Sequence, residues 1–299
     1  MHHAMKPDRS HLLGVVTVLY NCDEVLPEFF ESLAAQRDVK FRLYVIDNSA
    51  TDSGSTMSRA LAERHGIDVR IVFNNANLGV AKGNNQGIEM ALADGCSHVL
   101  LANNDTAFEP DTFAALLAPI LDEQEVATTC RISFYDQPTR LWYENGDIHP
   151  FRALTPHLHH SPLPDTPNGA LYVRYAPTCF LMLRSDVFQR TGLMDERYFV
   201  YFDDSDFVWR MLEQRMRIRL VPRMLVKHKV SSSTGGAESP FSVFYMHRNR
   251  MRFARKHNPW YLVPASLFYI CATRLICTWG HPKPLRQQVW RGLRAGFTA

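Results

Sequence analysis

No acidic side chain occurs in residues 240–299, although ten lysines and arginines do. The preceding 239 residues balance the other way, with 23 basic and 30 acidic side chains, so a net −7 is followed by a net +10. That split excludes an evenly charged surface and points the terminal segment at something anionic, a lipid headgroup layer or nucleic acid. Cysteine is also sparse. Cys22, Cys96, Cys130, Cys179, Cys271 and Cys277 show neither the paired spacing of a metal site nor the density of a disulfide scaffold, and they read as buried thiols in a reducing compartment. A secretory leader pattern is missing, because apolar residues begin at Leu12 as a strand, so the folded part is expected to be cytoplasmic. Residues 1–11 form a polar leader in which His2 and His3 are assigned no role. A chain of 299 residues with 46% apolar content is neither a linker nor a disordered tail; it can bury one large core or two modest ones.

What is present begins with alternation. Leu12 to Leu19 is a continuous apolar, β-branched run suited to a buried first strand. A helix is expected from about Asp23, with Leu26, Phe29, Phe30 and Leu33 on its apolar face. Phe41 to Ile46 forms a second strand delivering Asp47-Asn48-Ser49. The next helix is capped by Asp52 or Ser53, turning Met57, Ala60 and Leu61 inward and Arg59 and Glu63 outward. Val69 to Phe73, a helix over Ala81 to Ala93, and Val99 to Ala102 continue the pattern and bring Asn103-Asn104-Asp105 to a strand end. Strand-helix alternation argues for a mostly parallel sheet with helices on both faces and ligands outside the strand C-termini.

Residues 131–178 break that rhythm with prolines, histidines and aromatics, including Trp142, Tyr143 and His149, and read as long loops or short hairpins. His157, His159 and His160 read as a solvated histidine-rich loop ahead of a metal site. Order returns with a strand over Thr178 to Leu183, a helix over Ser185 to Thr191, a helix over Asp206 to Gln214 and a short strand over Ile218 to Val221.

Chemistry concentrates in three places. Tyr198-Phe199-Val200-Tyr201-Phe202-Asp203-Asp204-Ser205-Asp206 sets three carboxylates after an aromatic run, Asp105 stands alone upstream and His228 alone downstream. Clustered carboxylates, one hard oxygen ligand and a distant histidine suit transfer of a group off a phosphate leaving group.

These blocks, in order, resemble the inverting family 2 glycosyltransferases, particularly rhamnosyltransferase-like members that build bacterial surface polysaccharides. The resemblance spans about residues 12–253 and rests on Val16-Thr17-Val18-Leu19-Tyr20-Asn21, Val45-Ile46-Asp47-Asn48-Ser49, residues 74–87, Leu101-Ala102-Asn103-Asn104-Asp105, residues 192–199 and residues 201–210. It implies the GT-A nucleotide-diphospho-sugar transferase fold over residues 12–239, with a nucleotide half to about 105, an acceptor half beyond it, and a helical C-terminal extension from 240. Asp47 at its strand end accepts from a uracil or thymine imide, with Thr17 and Asn21 on the same edge; the alternative reading of Asp47 is a helix cap or turn residue. Asn77, Gly79, Lys82, Asn84 and Asn104 complete the nucleotide-sugar group, the glycine for close backbone approach and the lysine for phosphate or base. Asp105, all that is left of an acidic motif commonly carrying three acids, and His228 would hold Mg²⁺ or Mn²⁺ across the donor diphosphate. The resemblance implies that Asp204, second member of the acidic pair, is the general base. Asp203 holds an acceptor hydroxyl or raises its neighbour's pKa, and Asp206 caps the following helix one turn before Arg210.

The implied donor is dTDP-rhamnose, with a UDP-hexose as the alternative and a non-catalytic carbohydrate-binding protein as the reading outside enzymes. The acceptor is a saccharide or lipid-linked saccharide. Nucleic acid is not expected as a partner, and a homodimer is possible. Trp260 to Trp279 is mostly apolar but interrupted by Pro264 and Arg274, which disfavours a clean membrane span. An interfacial hairpin is expected, with the cations at an anionic membrane surface and Trp260, Tyr261, Phe268 and Trp279 at the interface; a lobe packed on the catalytic domain or in a dimer is the alternative. Placement is then peripheral, at the inner face of a bacterial cytoplasmic membrane.

Overall fold

A computed structural model describes residues 11–158, 169–230 and 239–298. His2, His3, His159 and His160 lie outside the described residues. Strand β1 (Leu13–Leu19) pairs in parallel with β2 (Phe41–Asp47) and β4 (His98–Ala102), and β2 pairs in parallel with β3 (Val69–Phe73). Parallel pairing needs crossovers, supplied by α1 (Leu26–Ala34), α2 (Ser53–His65) and α3 (Val80–Ala93). A 3₁₀ turn at Asp23–Val25 precedes α1, and Leu26, Phe29, Phe30 and Leu33 are fully buried on its inner face. Each such side chain contributes roughly 2 kcal/mol by leaving water. Helix α3 lies directly on β1 because Gly83 and Gly87 face it; a Cβ on Gly87 would come within 2.3 Å of a Val16 methyl.

The inner face of α2 differs from expectation. Gly54, Ser55, Ser58 and Ala62 are buried, Met57 and Leu61 are half-buried, and Ala60 is exposed. Small residues win that face because the helix start is drawn onto Asp47, as described below.

Beyond β4 the sheet becomes mixed. β5 (Thr106–Phe108), β6 (Ala127–Phe134), β9 (Phe180–Arg184) and β10 (Ile218–His228) extend it to the order β3-β2-β1-β4-β9-β6-β10-β5, with β7 (Leu141–Tyr143) on β6 and β8 (Leu171–Val173) on β10. β9 runs antiparallel to both β4 and β6, joining the two halves into one sheet. β10 is much longer than the four residues expected; Pro222 interrupts its register against β6 between Val221 and Met224, and the strand then resumes to His228. Helix α4 (Thr112–Asp122) covers one face, while α5 (Asp186–Thr191) leads toward α6 (Asp203–Glu213).

Three helices close the chain, α7 (Pro240–His257), α8 (Val263–Cys277) and α9 (Lys283–Thr298). Among the described residues no helix is long and apolar enough to cross a membrane. Four cysteines are buried as expected, but Cys271 is only half-buried and Cys277 is exposed, because both lie on the outer helix α8.

Candidate active site

The C-terminal ends of β1, β2 and β4 open onto a cleft of about 650 Å³, whose opposite wall is the start of α6. Asn77, Gly79, Asn84, Asn104, Asp105, Asp203, Asp204 and His228 all line it. Thr17, Asn21, Asp47 and Lys82 do not. Asp47 is fully buried one layer behind: its Oδ2 accepts from the Ser55 N–H at 2.9 Å and the Ser55 hydroxyl at 2.7 Å, and its Oδ1 from the Ser49 N–H at 3.0 Å. This is the turn-and-cap arrangement, satisfying otherwise orphaned donors at the start of α2. Thr17 is buried in β1, and Asn21 is exposed with its N–H donated to Ser49 Oγ at 2.9 Å. Lys82 points to Glu196, 4.0 Å away.

The asparagine-rich segment builds the wall. Asn48 donates to the Gly79 carbonyl at 3.0 Å and accepts from Asn74 at 2.8 Å. Gly79 adopts φ +85°, and a Cβ there would sit 2.5 Å from the Phe199 carbonyl oxygen, which accepts from the Val80 N–H at 2.7 Å. Only glycine permits this approach, and it ties the nucleotide half to the aromatic run before the acidic pair. Asn85 repeats the tie, its amide both donating to and accepting from the Met194 backbone at 2.9 Å.

Asp105 and His228 arrive from different elements. Lys229 N–H donates to the Asp105 carbonyl at 2.9 Å, and Nε2 of His228 lies 3.1 Å from Asp105 Oδ1, both side chains buried. Trp142 packs edge-on against the His228 ring at 4.4 Å. Among the described residues no group of three or more His, Cys, Asp or Glu forms a metal cage. One oxygen and one nitrogen donor 3.1 Å apart nonetheless fit neighbouring positions of an octahedral ion, whose adjacent ligands stand about 3 Å apart at Mg²⁺ bond lengths. The remaining positions would fall to diphosphate and water.

The acidic pair occupies the first turn of α6, which starts three residues earlier than expected, at Asp203. Tyr201 and Phe202 precede it at φ +64° and +65°, conformations costing about 1 kcal/mol or more each for bulky residues. Asn249 of α7 holds them: its buried side-chain amide donates to the carbonyls of Val200 at 2.8 Å and Tyr201 at 2.9 Å. Asp204 is half-buried; Oδ1 accepts from the Ser205 N–H at 2.6 Å, and Oδ2 accepts a short hydrogen bond from the Tyr175 hydroxyl. Burial, then the Asp204 charge, push the Tyr175 phenol well above its ordinary range, so it remains a donor. The coupling inside the pair runs opposite to expectation. Burial first, and the Asp204 charge second, push Asp203 up to about 8.

Two expectations are corrected. Asp206 caps nothing; it is fully buried and meets Arg210 at 2.9 Å, Lys256 at 2.5 Å and His257 at 2.8 Å, pinning α7 to α6. His157 does not sit on a solvated loop; it is half-buried, lines the cleft and has its Nδ1 3.0 Å from the Trp142 carbonyl. Tyr175, Asn48 and Asn249 were not singled out from sequence, since nothing in their local pattern marks partners 26 to 49 positions away.

Comparison with known proteins agrees with this layout. Relatives include N-acetylglucosaminyl-diphospho-decaprenol L-rhamnosyltransferase of Mycobacterium tuberculosis, 25% identical over 85% of this chain and 88% of that protein. They also include the low-salt glycan biosynthesis hexosyltransferase Agl10 of Haloferax volcanii, 21% identical over 80% and 74%. Among solved structures, the mannosyltransferase PcManGT from Pyrobaculum calidifontis, in complex with GDP-Man and Mn2+, superposes with a TM-score of 0.58 at 17% identity, covering 98% of this chain and 88% of that one. S. aureus TarS matches at a TM-score of 0.57 and 14% identity, and the chain spans 43% of it. The architecture is GT-A-like, a mixed α/β sheet flanked by helices with a helical C-terminal extension. Residues 14–190, more than half the sequence, match glycosyl transferase family 2, and with the ordered cleft motifs this means that the chain belongs to that family of enzymes, which move sugars from nucleotide-sugar donors to saccharide acceptors.

Proposed function

We propose that the chain is a metal-dependent, inverting glycosyltransferase that takes a hexose from a UDP-hexose and places it on a saccharide or lipid-linked saccharide. The observation carrying this reading is that one cleft holds Asp105 with His228 on one wall and Asp204, anchored by Tyr175, on another. Asp105 and His228 would hold Mg²⁺ or Mn²⁺, which when bound supplies positive charge for the departing diphosphate. Asp204 accepts the proton as the acceptor hydroxyl forms its bond to the anomeric carbon and the bond to the diphosphate breaks on the opposite face. Tyr175 and the Ser205 N–H orient that carboxylate. Asp203, neutral at pH 7, donates a hydrogen bond to an acceptor hydroxyl. Asn77, Gly79, Asn84 and Asn104 face the nucleotide sugar. Thr17, Asn21, Asp47 and Lys82 act from behind or beside the cleft, shaping its edge without lining it.

The hexosyl donor is supported by the Haloferax relative and by the asparagine wall, each side-chain amide able to donate and accept toward a polyhydroxylated sugar. A dTDP-L-rhamnose donor is the second reading, favoured by the mycobacterial relative. Calorimetric titration of UDP, dTDP and their sugar derivatives, with and without Mn²⁺, separates the two. UDP binding is expected to tighten with Mn²⁺, and Asp105→Ala to abolish that gain while leaving uridine binding unchanged. Tighter dTDP-rhamnose binding would move the assignment to the second reading; no nucleotide binding at all would leave a carbohydrate-binding protein.

A further inference from the structure

Helix α8 carries apolar side chains that no other described residue covers. Phe268, one helical heptad before Leu275, is exposed on α8 together with Leu275 and Ile276, and Tyr261 and Trp279 are exposed in the turns just beyond its two ends. Phe268 and Ile276 are each 76% exposed, and Trp279 77%. An exposed apolar face of this kind marks an interaction surface.

Charge selects the occupant. The cations of α7 are spent internally: Lys256 pairs with Asp195 and Asp206, Arg248 and Arg252 donate to the Arg197 carbonyl, and Arg250 donates to the Arg152 carbonyl. Only Lys256 meets carboxylates; the arginines keep their charge but are tied to backbone carbonyls, which limits their reach toward a partner. The cations of α9 are outward, with Lys283, Arg291 and Arg294 exposed and Arg286 half-buried, and no carboxylate occurs on α7, α8 or α9. A second copy docked through the same face in a two-fold contact would bring these cations together without an acid between them. An anionic bilayer answers both features, since lipid tails take the apolar side chains and headgroups the cations. Trp279 at one end of α8, and Trp260 and Tyr261 at the other, suit the headgroup boundary.

We infer that α8 lies in the surface of an anionic membrane, its axis in the membrane plane, with α9 supplying cations beside it. The orientation favours the active site. Gly292 of α9 packs on Phe244 and His247, and Gly296 on Arg248 and Met251, so α9 runs parallel to α7. The α8–α9 turn carrying Trp279 therefore lies at the N-terminal end of α7, where Phe241 and Met246 line the cleft. A membrane-borne acceptor would meet the cleft from that side. This last point rests on the acceptor reading above, whereas the membrane contact does not.

Flotation of the full chain with phosphatidylcholine vesicles, and with vesicles also containing phosphatidylglycerol, tests the inference across a salt series. The protein is expected to float with the anionic vesicles and to be partly released by salt, with a weaker salt-resistant fraction on neutral ones. Phe268→Glu with Ile276→Glu should lower binding about tenfold or more, the loss expected when buried apolar area is replaced by charge, while UDP titration by calorimetry stays native. If that variant fails to fold, Arg291→Gln with Arg294→Gln must lower binding to anionic vesicles alone. A folded native chain that floats with neither lipid, or glutamate variants that float as native, overturns the inference. So does a native dimer that those substitutions dissolve in the absence of vesicles. Flotation needs no donor or turnover, so its failure is distinct from failure of the transfer reading.

Discussion

Burial separates Asp203 from its neighbour. Removed from water and facing the Asp204 charge, its carboxyl holds a proton up to about pH 8 instead of the ordinary 3.8. The unfolded chain releases that proton near 3.8, so the folded state binds more protons between the two values. The contribution to stability is thus complete below pH about 4 and is lost as pH rises toward 8. Asp203→Asn should flatten this slope and raise the unfolding temperature above that of the native protein at pH 7 to 8, read by thermal melts across pH. An unchanged slope would mean that Asp203 ionises freely in the fold. Residue identity foretold the acidic pair but not which member is buried, because that depends on Tyr175 and on the turn ahead of α6, both fixed by tertiary contacts. Asp47 shows the same limit: an aspartate at a strand end suits a ligand contact or a helix start equally well, and only the positions of Ser49 and Ser55 decide where its oxygens are used.

At the scale of elements, α7 positions α6. Asn249 holds the left-handed Tyr201 and Phe202 through the carbonyls of Val200 and Tyr201, while Asp206 is locked among Arg210, Lys256 and His257. Asn249→Ala should lower kcat by about tenfold with the donor KM nearly unchanged, because it loosens the acidic pair and not the nucleotide wall. Equal losses in kcat and donor affinity, or none, would deny Asn249 a positioning role. Apolar runs and periodicity made β1 through β4, α1 and α3 readable to within a few residues, whereas for α2 only the start was legible and its buried face of small residues was not. The start of α6 was not readable, because positive φ at two aromatic residues breaks every local preference. Nor was the resumption of β10 after Pro222, where a local strand-breaker is overridden by pairing with β6.

Across the whole molecule, β9 and the Gly79–Phe199 contact make two halves into one cleft, and α7 adds Phe241 and Met246 to its lining. Charge asymmetry was visible in composition, but its division was not: the five cations of α7 are held by the protein itself, Arg274 and Arg286 are half-buried, and Lys283, Arg291 and Arg294 are exposed. The central claim is that Asp204 takes the acceptor proton while the opposite wall holds the donor. Sugar transfer by Asp204→Asn, measured beside donor affinity in the same preparation, tests it most directly. Transfer should fall by about 100-fold or more with donor binding retained. Near-native transfer by a folded Asp204→Asn protein would contradict the account.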